Sequence, residues 1–212
     1  MITDEVTARA WVAILPESTS LAMEQLDRLA VLLAEENARQ NLVSAKSLTE
    51  IWQRHIADSA QLLTYVPRET AGAWLDLGTG AGFPGLVAAI LRPNMPTVMV
   101  ESRPRRTEWL NRVCEQLDLA NTEVVESRLE RLADHSVRVI SARAFAPLEK
   151  LLEIAVRFST ASTIWVLPKG RSARLELENL SGWQHKFHVE QSITDAEAGI
   201  IVGNLTGRKA KA

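Results

Sequence analysis

The chain has a single cysteine, Cys114, and no uninterrupted apolar run of about 18 residues. One cysteine cannot close an internal disulfide, in keeping with a reducing compartment. The first residues carry Asp4 and Glu5 with no basic residue before Arg9, unlike the positive start of a secretory signal, so a cytoplasmic protein is expected. No lysine lies between Lys46 and Lys150, so the glycine-rich stretch between them lacks the Gly-Lys-Ser/Thr ending of a P-loop. That removes nucleoside triphosphate binding of that kind. A formal charge of −2 argues against a general polyanion binder and makes any nucleic-acid contact local. His185 and His188 would point to opposite faces of one strand with no Cys or acid cluster beside them, so no metal site is expected.

What is present is the composition of an ordered globular chain, 46% hydrophobic and 24% charged, and 212 residues suffice for one domain with a sizeable core. Residues 1–66 read as an N-terminal helical extension. Ser18-Thr-Ser precedes a periodic stretch with Leu21, Leu26, Leu29, Ala30 and Leu33. Ser47-Leu-Thr-Glu50 reads as a capping box opening a helix through about Tyr65, which Pro67 breaks. Gln40 to Ser44 form a polar connector that could reach over a neighbouring site.

Residues 67–212 read as a second unit packed with the first. From residue 70 strands and helices alternate, which predicts an α/β fold with a mainly parallel seven-stranded sheet. The expected strands are 73–77, 97–101, 122–126, 137–141, 162–167, 184–190 and 199–205. The last two, close in sequence, could pair antiparallel at an edge. Helices fall at about 84–91, 104–117, 128–132, 147–158 and 171–180, and the basic stretch 208–212 is expected to fray. Cys114 sits at helical spacing with Leu110, Val113 and Leu117, which suits packing rather than nucleophilic attack.

Residues Trp74 to Gly85 form a short apolar strand carrying Asp76, then glycines at 78, 80, 82 and 85, with Pro84 suited to a first helical position. A dinucleotide motif would need its third glycine at 83, which is Phe, so a nicotinamide cofactor is disfavoured. Gly78-x-Gly80-x-Gly82 after Asp76 resembles the first motif of Rossmann-like methyltransferases that bind S-adenosylmethionine, a cofactor with no pyrophosphate to cradle. Glu101 ends the next strand, 23 residues after Gly78, where a carboxylate can accept from both hydroxyls of a ribose.

Ligands bind such sheets outside the carboxyl ends of the strands. That selects residues 76–85, 101–103, 127–130, 142–145 and 168–171 as one expected rim. Several of these residues, with Asn41-Leu-Val-Ser, Arg54-His55, Asp58-Ser59, Gly78 to Gly85, Ser127-Arg128-Leu-Glu130, Arg143-Ala-Phe-Ala and Lys169-Gly170, make the chain resemble the RsmG family, also known as glucose-inhibited division protein B. These are small-subunit ribosomal RNA guanine-N7 methyltransferases, and the likeness runs from about Asn41 to Gly170. It implies a Rossmann-like class I methyltransferase fold, S-adenosylmethionine as cofactor, and 16S ribosomal RNA in the small subunit or its precursor as partner. The implied product is a guanine methylated on N7 in the 530 loop, guanine 527 in conventional rRNA numbering.

By the same resemblance Gly78 and Phe83 would contact the cofactor, Leu129 and Glu130 would border its adenine, and Arg143 would lie at its amino-acid end or between it and the RNA. Motif and spacing add Gly80 and Glu101 to the cofactor set. Near the end the chain departs from the family, reading Glu197-Ala-Gly-Ile-Ile-Val-Gly-Asn where members often carry a basic residue before the last strand and a lysine after it. RNA contact at that edge therefore stays open.

Guanine N7 carries an in-plane lone pair and no proton, so no catalytic acid or base is named and the task is alignment and charge placement. The chain also lacks the Asn/Asp-Pro-Pro-Tyr/Phe stretch of exocyclic-amine methyltransferases and a suitably placed cysteine for the C5-pyrimidine route. The candidates for RNA are Arg54, His55, Arg143, Lys169 and Arg171. Arg54 and Asp58 also read as a cheap intrahelical ion pair, and Phe145 either as a core residue or as an aromatic that stacks on a splayed base. N7 lies on the edge facing the narrow major groove of A-form RNA, so the target is expected in a loop or an assembly intermediate. The protein is expected to act as a monomer. A small-molecule methyltransferase and a non-catalytic cofactor-binding regulator of ribosome assembly are the alternatives.

Overall fold

The computed structural model describes residues 1–209. The basic stretch expected to fray thus falls in part outside the described residues, and its first residue, Arg208, is ordered over the Trp183 ring at 4.7 Å. Eight strands form one sheet: β1 (Trp74–Leu77), β2 (Thr97–Glu101), β3 (Thr122–Glu126), β4 (Val139–Ser141), β5 (Ile164–Gly170), β6 (Trp183–His185), β7 (His188–Gln191) and β8 (Gly199–Arg208). The order runs β3-β2-β1-β4-β5-β8, the first five strands parallel and β8 antiparallel to β5. This is the α/β, mainly parallel sheet read from the sequence. Because order reverses between β1 and β4, the loops leaving them diverge and open a crevice at the carboxyl ends.

The seven expected strands are eight, because the segment expected at 184–190 is divided. β7 pairs with Gly199–Val202 and β6 with the stretch from Leu205 to Arg208. Between them the backbone of Lys186 lies so close to Gly203 that an added Cβ would meet the Lys186 carbonyl at 2.3 Å. The Lys186 amide still donates to the Asn204 carbonyl at 2.9 Å, but the next amide, of Phe187, turns to His185 Nδ1 at 3.1 Å and leaves the ladder, while the register shift falls earlier, between Gln184 and His185.

Helices α1 (Glu5–Ala13), α2 (Ser20–Asn37) and α3 (Ala45–Leu48) precede a helical run of three pieces: a π turn Trp52–Ala57, α4 (Asp58–Ala60) and a 3-10 stretch Gln61–Tyr65. Then come α5 (Gly85–Leu91), α6 (Pro104–Gln116), α7 (Leu148–Ala155) and α8 (Ala173–Glu178). The two-residue period of the strands divides the core. Trp74, Val139 and Val166 face the cluster made with α1, α2, the helical run, α5 and α6, while Leu75, Leu77, Ile140, Trp165 and Leu167 face the cluster with α7.

The expected capping box at Ser47–Glu50 does not form. Ser44 caps α3 by accepting from the Ser47 amide at 3.1 Å. The open amides of Trp52 and Gln53 donate instead to the carboxylate of Glu5, at 3.0 and 2.8 Å, so α1 caps the helical run from far upstream. Buried Arg92, at the end of α5, donates to the carbonyl of Val66 at 2.9 Å and pairs with Glu17 at 3.2 Å. The N-terminal helices are thereby tied to the sheet domain. Burial pushes the Cys114 thiol up, as fits a packing residue.

Candidate active site

The loop after β1 is fixed from beneath. Fully buried Asp76 accepts from the Gly85 amide at 3.0 Å and from the Ser141 hydroxyl at 2.7 Å, which accepts in turn from the Trp74 indole at 2.8 Å. Burial holds the Asp76 carboxyl above the usual range, against the pull of these hydrogen bonds. The Trp109 indole on α6 donates to the Ala81 carbonyl at 3.1 Å. Pro84 stands one place earlier than expected, as the N-cap of α5, where its missing N–H still costs nothing. Gly78 adopts φ +64°, a conformation that disfavours side chains, and an added Cβ there would lie 2.3 Å from the Phe145 ring.

Above this loop is a hollow of about 430 Å³ lined by Gly78, Glu101, Arg103, Arg106, Leu129, Glu130 and Phe145 among others. Glu101 is 6% exposed. It accepts from the amides of Gly80 (3.1 Å), Ser102 (2.7 Å) and Arg103 (3.0 Å). Three of a carboxylate's about four acceptor positions are thus taken, so one ribose hydroxyl, not the expected two, can be accepted in this geometry.

A second, larger groove of about 760 Å³ opens beside the first and shares Ala144 and Phe145 with it. Arg143, leaving β4, donates to the Arg54 carbonyl at 3.1 Å, lies 3.1 Å from His55 Nδ1 and 3.4 Å from Asp58, and covers the Phe83 ring at 5.3 Å. His55 also stacks against the Phe83 ring, with centroids 5.0 Å apart. Burial foremost, then the cations of Arg143 and Arg54, push the His55 pKa down to about 3. Phe83 is 2% exposed and lines neither hollow; its side chain is the floor beneath Arg143 and His55.

The expected Arg54–Asp58 ion pair is absent among the described residues. The segment winds as a π turn rather than an α-helix, so positions four apart do not stack, and each charge finds a distant partner. Arg54 pairs with Asp195 at 3.2 Å; Asp58 meets Arg143 and accepts from Thr194 at 2.8 Å. Lys169 is nearly buried, bonded to the Ala146 carbonyl and paired with Glu176 at 2.9 Å. It braces the loop instead of projecting toward phosphate. Arg171 is exposed; the Glu197 amide first, then Arg54 and last Arg171 hold the Asp195 carboxyl below its usual range.

The chain matches the GidB family, described as rRNA small subunit methyltransferase G, over residues 22–199. It belongs to that family. A protein named Ribosomal RNA small subunit methyltransferase G from Erythrobacter litoralis is 57% identical over 204 residues, 96% of this chain and 97% of its own length. Among solved structures, cofactor-bound Rv0187 from MTB is similar with a TM-score of 0.64 at 15% identity, over 98% of this chain and 100% of that one. A mutant of MtNAS in complex with S-adenosylmethionine is similar with a TM-score of 0.57 at 15% identity, covering 96% of this chain and 84% of that chain.

In this GidB-family chain the five expected rim groups do not share one hollow. The 430 Å³ hollow takes Gly78, the 101–103 and 127–130 groups and Phe145, while Arg143 and Pro168–Gly170 line the groove. Leu42–Ser44 of the polar connector are among the residues that line the groove. Ser192, Thr194, Asp195 and Glu176 also line it, and no sequence reading selected them. Their partners lie 136 and 141 residues away for Thr194 and Asp195, a separation without local periodicity to reveal it.

Proposed function

We propose that this chain transfers the methyl group of S-adenosylmethionine to N7 of a guanine in the 530 loop of 16S ribosomal RNA, in the small subunit or its precursor. Two adjoining hollows with a common wall at Ala144 and Phe145 support this function most directly. The smaller has the volume of a small-molecule site, and at Gly78 the backbone carries no Cβ, so the Phe145 ring now resting there covers main chain that a ligand can approach. Its residues suit a nucleoside sulfonium. Glu101 offers an acceptor for a ribose hydroxyl, Leu129 an apolar border for adenine with Glu130 beside it, and Gly78 and Gly80 backbone approach. Phe83 acts from below by seating Arg143, whose cation faces the amino-acid end or the RNA.

S-adenosylmethionine supplies an activated methyl on a sulfonium, and guanine N7 attacks it with a free lone pair, so the chain's own work is orientation. Its groove suits that work. Each cation in it has a carboxylate partner: Arg54 with Asp195, Arg143 with Asp58, Lys169 with Glu176. A paired wall attracts naked phosphate weakly and favours one folded target over indiscriminate RNA. Calorimetry with S-adenosylhomocysteine and with a nicotinamide dinucleotide, followed by transfer of labelled methyl to unmodified small subunits or to free metabolites, tests the proposal. Binding of the first compound and label in RNA support it; binding of the dinucleotide alone, or label only in metabolites, contradicts it.

A further inference from the structure

We infer that Phe145 serves both hollows: its ring stacks on the target guanine, and a cofactor seated on Gly78 directs it there. This rests on the cofactor and RNA function proposed above. Phe145 is the one aromatic among the exposed large hydrophobic residues described, 38% exposed, so a core role does not account for it. With Ala144 it lines both the 430 Å³ hollow and the 760 Å³ groove.

The ring rests on Gly78, where an added Cβ would lie 2.3 Å from Cδ2 and 2.9 Å from Cε2. A ligand approaching the Gly78 backbone needs that same space. The segment on either side is tied down: the Arg143 guanidinium to the Arg54 carbonyl, His55 and Asp58, the Ala146 carbonyl to Lys169, and the Leu148 amide to Glu176 at 2.7 Å. Ala144 between them is held at φ +51°, a conformation that persists only where the surroundings enforce it. Freedom is therefore left to the Phe145 side chain, and the direction open to it away from Gly78 is the groove it already lines. There the cations are paired, so an aromatic face is the means of holding an extruded base that the groove offers most readily.

Cofactor and RNA binding are then positively coupled, each tightening the other by the same factor. The test compares wild type with Phe145→Ala and Phe145→Tyr, measuring S-adenosylhomocysteine affinity by calorimetry with and without unmodified small subunits, and KM for the subunits. Phe145→Ala is expected to bind S-adenosylhomocysteine at least as tightly as wild type, to raise the subunit KM on the order of tenfold, the size of losing one base stack, and to lose the coupling. Phe145→Tyr is expected to restore both. An unchanged KM in Phe145→Ala, or cofactor affinity lost in step with it, overturns the role of Phe145. Wild type that binds no S-adenosylhomocysteine contradicts the cofactor site itself instead.

Discussion

Arg143 Nη2 lies 3.1 Å from His55 Nδ1, and since a guanidinium only donates, the imidazole accepts there and carries its proton on Nε2. That nitrogen is buried with no hydrogen-bond partner among the described residues. A second proton would place a cation against Arg143 and Arg54, which with burial is why the pKa falls to about 3. An unfolded histidine protonates near 6.5, so the stability this site contributes is complete above that pH and is lost as pH falls toward 3. The ceiling is about 5 kcal/mol over that window. Urea unfolding between pH 7 and 4 is expected to give a shallower pH dependence for His55→Gln than for wild type, by up to about 1.4 kcal/mol per pH unit; parallel curves would contradict the neutral His55.

Gly78→Val is expected to abolish S-adenosylhomocysteine binding in calorimetry while the protein stays folded by circular dichroism. The branched side chain meets the Phe145 ring and is forced to φ +64°, a cost of roughly 1–2 kcal/mol from conformation alone. Unchanged affinity would move the cofactor elsewhere.

Lys169→Met strands the Glu176 carboxylate, which is 22% exposed on its side chain. The loss should be about 2–3 kcal/mol, below the 3–5 of a deeply buried pair, and in a chain of this size it lowers Tm by roughly 5–10 °C. The double variant Lys169→Met with Glu176→Leu should recover part of that loss. A Lys169→Met protein with wild-type Tm but weakened RNA binding would return Lys169 to the phosphate role read from sequence.

Asp195 restrains Arg54, whose side chain is 44% exposed. Asp195→Asn is expected to tighten subunit binding at low salt and to steepen its salt dependence by about one phosphate contact, in a titration of affinity against potassium chloride. An unchanged slope would mean that Arg54 does not face RNA.

The sheet was legible in sequence because its signals are local: the glycine turn at 78–82, the acid at Glu101 and the alternation of apolar strands with helices. The divided edge strand was not, because the break comes where the Phe187 amide turns to the His185 ring, opposite a close approach of Gly203 on another strand. The lining of the 430 Å³ hollow was legible for the same local reason, since strand ends carry it. The groove was only half legible. Arg54, His55, Arg143 and Lys169 were found by motif, yet their partners Asp195, Thr194 and Glu176 belong to segments far along the chain, and the π turn at Trp52–Ala57 defeats helical spacing.

The most direct measurement of the central claim locates the transferred methyl. Small ribosomal subunits lacking the modification would be incubated with the protein and labelled S-adenosylmethionine, and the RNA then cleaved by borohydride reduction and aniline, which break the chain at N7-methylated guanine. A single labelled cleavage in the 530 loop is the expected result. Label that resists this chemistry, or lies in another part of the RNA, would contradict methyl transfer to that nitrogen.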